Sequence, residues 1–216
     1  MRSVAIIGLS SFGSFLAKEL VREGVEVMAL DLNDEKIEKF KNEIHKAVIA
    51  DGTDKDVLDK LGLKEMDCVV VSLGQIEASV LATLNLRELK IKRIVSKALS
   101  EEHGRILQMI GASEVIFPEK DMACRVARTL THENILDHIP LAEGYSIIEI
   151  EPPKSFLNKS LGKLDLRKRY GVQLIVVKES VPEKVVMVPT AEYIIKDSDI
   201  LVMMGRDIDL KKIQDL

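Results

Sequence analysis

Two patterns near the start of the chain have the residue types and spacing to bind a nucleotide. Gly8-Leu9-Ser10-Ser11-Phe12-Gly13 lies between an apolar run and an amphipathic one, the strand-to-helix setting in which a G-x-G-x-x-G spacing acquires meaning. In that pattern Gly8 permits the tight turn and Gly13 lets helix and strand pack closely, whereas the middle glycine, which admits a pyrophosphate against the backbone, is Ser10 here. The Ser10 hydroxyl could hydrogen-bond a ligand or crowd it, so binding could be weakened, rearranged or narrowed to a smaller adenosine ligand. Asp31 closes the next apolar run 23 residues after Gly8, where a carboxylate accepts hydrogen bonds from ribose 2′- and 3′-hydroxyls and repels the 2′-phosphate of NADP. Without a ligand, the same residues read as two turn glycines and a helix N-cap. No Gly-Lys-Ser/Thr follows Gly8, which excludes a Walker A loop.

Further candidates stand at the ends of later apolar runs, where open α/β sheets bind ligands. Asp51-Gly52-Thr53 could contact the adenine end, and Ser72-Leu73-Gly74 could bring backbone to the sugar; as helix caps and turns they would do neither. Ser11 and Phe12 within the turn, and Leu32 beside Asp31, complete the set. Lys97 ends the fifth run and could meet a phosphate or pair with Glu114. Catalytic chemistry is harder to find. His45, His103, His132 and His138 belong to no nucleophile motif or H-E-x-x-H, and no carboxylate pair is spaced for acid–base work. His45 begins a strand, and His132 and His138 read as solvated helix-face residues.

The elements that must position these residues follow from hydrophobic periodicity. Apolar runs at 4–7, 25–30, 47–50, 68–71, 94–95 and 115–117 alternate with helical patterns at 12–22, 34–41, 53–61, 76–89 and 101–110. Six β-α repeats with right-handed crossovers predict a Rossmann-like, doubly wound parallel sheet. From Pro118 a helical pattern carrying Met122, Val126 and Leu130 runs on to Ile135 and Leu136, with Pro140 ending it. Short strands then follow at 145–150, 174–177, 185–188 and 200–204, with a helix over 160–169 and another from Asp207. The reading is α/β: a nucleotide-binding domain with its crossover helix over 1–138, then a small α+β C-terminal domain over 139–216.

Composition narrows the function. A chain of 216 residues with 46% hydrophobic and 31% charged residues has the balance of a globular protein, not a disordered one. No run approaches the roughly 20 apolar residues of a membrane span, and the first apolar run is too short for a signal-peptide core, so the expected place is the cytoplasm. Two cysteines, Cys68 and Cys124, form no paired motif for a disulfide framework or zinc site. Net charge is −4, residues 139–216 hold 12 basic and 12 acidic residues, and aromatics are only 4%. With neither a basic stripe nor a stacking platform, nucleic acid is not an expected partner.

Several segments together give the chain a family resemblance. Val4 to Gly13, Asp31, Asp51-Gly52-Thr53-Asp54, Val71 to Gly74, Phe117-Pro118-Glu119-Lys120-Asp121-Met122-Ala123, Ser160 to Arg167 and Asp197 to Gly205 resemble the RCK (regulator of potassium conductance) subunits of bacterial Trk/Ktr-type potassium uptake systems. With one such unit rather than a tandem pair, the chain looks like the short Ktr-type subunit. The resemblance implies a cytoplasmic regulatory subunit, peripheral to the inner face of the membrane and docked under a membrane potassium-translocating subunit. It also implies a homo-oligomer, dimers assembling to an octameric ring, or a hetero-ring with a paralogue. An adenine nucleotide (AMP, ADP or ATP) or NAD(H) at the glycine turn and neighbouring loops would shift ring shape. In some relatives the residue matching Glu119 helps hold a divalent cation, and in others the C-terminal domain binds cyclic di-AMP. Ser10 and Ser11 depart from the family pattern and predict a ligand with fewer phosphates, such as AMP, ADP or NAD, or a site completed by a partner. The rival class is an NAD-dependent oxidoreductase of the same fold, which needs a catalytic acid or base; a redox-sensing DNA regulator would need a helix-turn-helix and a basic face.

Overall fold

The computed structural model describes residues 2–131, 135–180 and 183–216. Six parallel strands, β1 (Ser3–Ile7), β2 (Glu26–Asp31), β3 (Lys46–Ile49), β4 (Cys68–Val71), β5 (Ile94–Lys97) and β6 (Glu114–Ile116), form one sheet in the order β3-β2-β1-β4-β5-β6. Helices α1 (Ser11–Arg22), α2 (Asp34–Phe40), α3 (Lys55–Lys60), α4 (Ile76–Glu88) and α5 (Glu101–Ile110) connect them. Successive side chains of the central strands enter opposite cores. Ala5 and Ile7 join Leu30, Val69 and Val71 on one face, while Ile6 joins Val27, Ala29 and Val70 on the other. A strand buried on both faces is apolar at every position, which is why β1 and β4 read as unbroken apolar runs. The strand order reverses between β1 and β4, so the carboxyl ends of these two strands flank the crevice where such sheets take ligands.

The chain divides into compact units Met1–Lys120 and Asp121–Leu216. After α6 (Pro118–Thr131), the second unit builds an antiparallel sheet from β7 (Ile135–Ala142), β8 (Tyr145–Ile150), β9 (Gln173–Ser180), β10 (Glu183–Met187) and β11 (Asp199–Arg206), ordered β10-β9-β11-β8-β7. Ile148, Ile150, Phe156, Leu174, Val177, Leu201 and Met203 fill its core with residues from α7 (Leu161–Leu164), α8 (Leu166–Tyr170) and α9 (Asp207–Gln214). This is the small α+β architecture expected after the Rossmann-like sheet.

Three expectations are corrected here. The helix read through Leu136 ends at Thr131, and Ile135 begins β7, so the boundary read at 138/139 falls inside a strand. β7 is an edge strand with register shifts at Ile135/Asp137 and Pro140/Ala142, which erase the period-2 signal and accommodate Pro140. His138 therefore lies in a strand rather than on a helix face, and His132 lies outside the described residues. Finally, the single helix over 160–169 is two, broken at Asp165, whose φ of 44° places it in the left-handed region that Asp tolerates.

Candidate functional site

The carboxyl ends of β1 to β4 open onto a cavity of about 410 Å³, within the size range of small-molecule sites. Gly8, Ser10, Asp31, Leu32, Asp51, Gly52, Thr53, Ser72, Leu73 and Gly74 all line it, so ten residues singled out from the sequence meet in one place. Ser11 lines an adjoining groove between α1 and α2 with Ser14, Phe15 and Lys18. Phe12 and Gly13 are part of the turn without lining the cavity.

The turn is held by close backbone contacts. Gly8 has φ +97°, and a Cβ there would stand 2.7 Å from the Ser72 carbonyl oxygen; at Gly13 it would stand 2.2 Å from the Gly8 carbonyl oxygen. Ser10 is the N-cap of α1, its hydroxyl accepting from the Gly13 N–H at 3.3 Å and lying 2.7 Å from the hydroxyl of fully buried Ser72.

Asp31 ties the two loops together. Its Oδ2 accepts from the Leu9 N–H at 2.7 Å and from Lys36 Nζ at 3.2 Å, and its Oδ1 accepts from the Asn33 N–H at 2.9 Å. The N-cap of α2 is Asn33, so Asp31 is not the capping residue. Across the cavity, Asp51 Oδ1 accepts from the Thr53 N–H at 2.8 Å and the Thr53 hydroxyl at 2.7 Å. These two bonds hold the Asp51 carboxyl below its ordinary pKa. Thr53 in turn offers its carbonyl to Asn85 Nδ2 at 2.8 Å, fixing this loop to α4. Gly74 leaves open space, with nothing within 4 Å of where a Cβ would stand.

Lys97 and Glu119 do not line the cavity. Lys97 is 5% exposed, and its ammonium donates to Glu119 Oε1 at 2.7 Å, while Glu114 pairs with Arg93 at 2.7 Å instead. The Lys97 bond lowers the Glu119 pKa. No cluster of three or more His, Cys, Asp or Glu side chains is gathered among the described residues, and in this structure Glu119 pairs with Lys97. His103 is buried, its Nδ1 accepting from the Leu99 N–H at 3.2 Å.

Sequence reasoning did not single out Ile7, Leu30, Lys36, Ala50, Gln75 and Ala78 as lining residues. Lys36 did leave a signal: it sits in the first turn of α2, where the helix dipole disfavours a cation, beside the expected Asp34 and Glu35.

The TrkA-N domain family matches residues 4–118 and the TrkA-C domain family matches 145–216. The chain is 37% identical to the Ktr system potassium uptake protein C of Bacillus subtilis over 214 residues, covering 99% of this chain and 96% of that one. With Ktr system potassium uptake protein A of the same organism it shares 38% identity over equal coverage. A solved structure of GsuK bound to ADP superposes with a TM-score of 0.50 and 25% identity, over 60% of this chain and 33% of that one. Among the described residues, no helix is long and apolar enough to cross a membrane.

Proposed function

This chain belongs to the RCK family of Trk/Ktr-type potassium uptake proteins, and we propose that it is the nucleotide-sensing subunit that gates a membrane potassium-translocating partner. The observation that carries the nucleotide is the placement of Asp31 against the glycine turn at the point where the strand order reverses. Asp31 would hold the ribose hydroxyls, the open face over Gly74 would admit the sugar, and Leu32, Ala50 and Ala78 would form an apolar slot for adenine. The ribose and adenine common to adenine nucleotides and NAD(H) fit these groups, and the ADP complex of the GsuK relative supports the same ligand class.

Gating requires the ligand to bind one conformation of the assembly better than another, and coupling of about 1–3 kcal/mol is typical. The chain would work in the cytoplasm at the inner face of the membrane, as a homo-oligomeric ring of dimers or a hetero-ring with a paralogue. The exposed stripe of Met122, Val126 and Leu130 on α6 would form the dimer contact.

The test pairs calorimetric titration of the purified chain against AMP, ADP, ATP, NAD and NADH with potassium uptake by cells carrying it beside a Ktr-type membrane subunit. Binding of an adenine ligand together with chain-dependent uptake is the expected result. Uptake that is identical with and without the chain would refute the gating role.

A further inference from the structure

We propose that Ser10 is a specificity-determining residue that disfavours ligands laying a pyrophosphate on the glycine turn, so that the cavity selects adenosine ligands with one phosphate or none. The inference rests on the nucleotide-binding reading above. A glycine at this position leaves room for the pyrophosphate and leaves the first amides of the helix as its donors. In this chain that room holds a side chain. The Ser10 hydroxyl already takes the Gly13 N–H at 3.3 Å and bonds the Ser72 hydroxyl at 2.7 Å.

Neither bond yields easily. Ser72 is fully buried, so moving Ser10 aside leaves a buried hydroxyl without this partner. A second amide of the turn, that of Leu9, is taken by Asp31 at 2.7 Å. Two donors that a phosphate would use are thus satisfied by the chain itself.

Charge acts in the same direction. The charged residues lining the cavity are Asp31, Asp51 and Lys36, and Lys36 is already bonded to Asp31. Each added phosphate brings further negative charge toward two carboxylates. Lys18 in the adjoining groove gives little relief, because its ammonium is held 2.7 Å from Glu43. The ribose and base end carries no such obstruction, since the space over Gly74 is open.

Calorimetry with adenosine, AMP, ADP and ATP on the full chain, on Ser10→Gly and on Ser72→Ala tests this. Glycine is tolerated at an N-cap for a few tenths of a kcal/mol, so Ser10→Gly should fold, and Ser72→Ala removes one of the two bonds without altering the turn's backbone. Wild type should bind AMP at least as tightly as ADP and ATP. Ser10→Gly should raise the ratio of ADP to AMP affinity roughly tenfold, and Ser72→Ala by a smaller factor, as expected for releasing two hydrogen bonds and one. Unchanged ratios in both variants, or wild type preferring ATP to AMP, would overturn the role of Ser10 while leaving the nucleotide site standing. If none of the four compounds binds any variant, the nucleotide reading itself fails and this inference with it.

Discussion

Replacing Asp31 separates its structural work from its binding work. Asp31→Ala removes the acceptor of the Leu9 N–H, and Leu9 is 2% exposed, so water does not readily substitute. An unsatisfied buried donor costs roughly 1–3 kcal/mol. The Asn33 amide is exposed and can resolvate. The Lys36 side chain is 45% exposed, so loss of that pair adds no more than about 1 kcal/mol. A destabilisation of about 2 kcal/mol follows, which for a chain of this size lowers the melting temperature by roughly 4–8 °C. Asp31→Asn keeps an oxygen for Leu9 and should lose about half as much or less. For the ligand the ranking differs: both substitutions remove a charged acceptor from the ribose, about 1.5–3 kcal/mol per hydrogen bond, or roughly 10- to 100-fold in affinity. Thermal unfolding of both variants, with titration of each against AMP, reads the two effects separately. Asp31→Asn binding AMP with wild-type affinity would refute the assignment of Asp31 to the ribose.

Three further outcomes are expected. Gly74→Ala meets no atom within 4 Å, so it should leave the melting temperature within about 1 °C while its methyl fills the cavity and weakens AMP binding about tenfold or more; unaltered binding would place the sugar elsewhere. Val126→Glu puts a charge in the exposed apolar stripe of α6 and should shift elution in sizing chromatography from dimer to monomer, whereas an unchanged elution volume would remove α6 from the interface. Burial depresses the His103 pKa below 6.5, so the unfolded chain binds a proton that the folded one refuses: the contribution is fully present above pH 6.5 and is lost as pH falls below it, by at most about 1.4 kcal/mol per pH unit. Urea midpoints at pH 7.5, 6.5 and 5.5 should therefore fall less steeply for His103→Phe than for wild type, and parallel slopes would exclude His103 as the source.

What the sequence made legible was whatever depends on local period and spacing. The glycine turn and Asp31 stand in one β-α-β unit, and burial on both faces wrote β1 and β4 as continuous apolar runs. Ten lining residues could be named because each lies at the carboxyl end of a strand, so finding the strands found the site. β7 was not legible, because its Ile135, Leu136 and Ile139 also satisfy a helical spacing and its two register shifts break alternation. Asp165 hid a helix break because a short polar residue gives no apolar signal when it turns left-handed. The partner of Lys97 was misread because Glu114 and Glu119 are both near in sequence, and only the start of α6 decides between them.

Lys36 shows a different limit, and with it how the site is built. As a side chain in the first turn of α2 it opposes the local dipole rule, yet it gains Asp31 as a partner five residues back. Asp31 in turn holds Leu9, and Ser10 holds Gly13 and Ser72. These cavity-lining groups are thus bonded to one another, and a ligand that reaches them would enter a preformed hydrogen-bond network. A carboxylate can accept further hydrogen bonds beside those from Leu9, Asn33 and Lys36, so a ribose at Asp31 would join these two loops without displacing them. Coupling to gating then requires that a ligand joining these loops bind one conformation of the assembly better than the other.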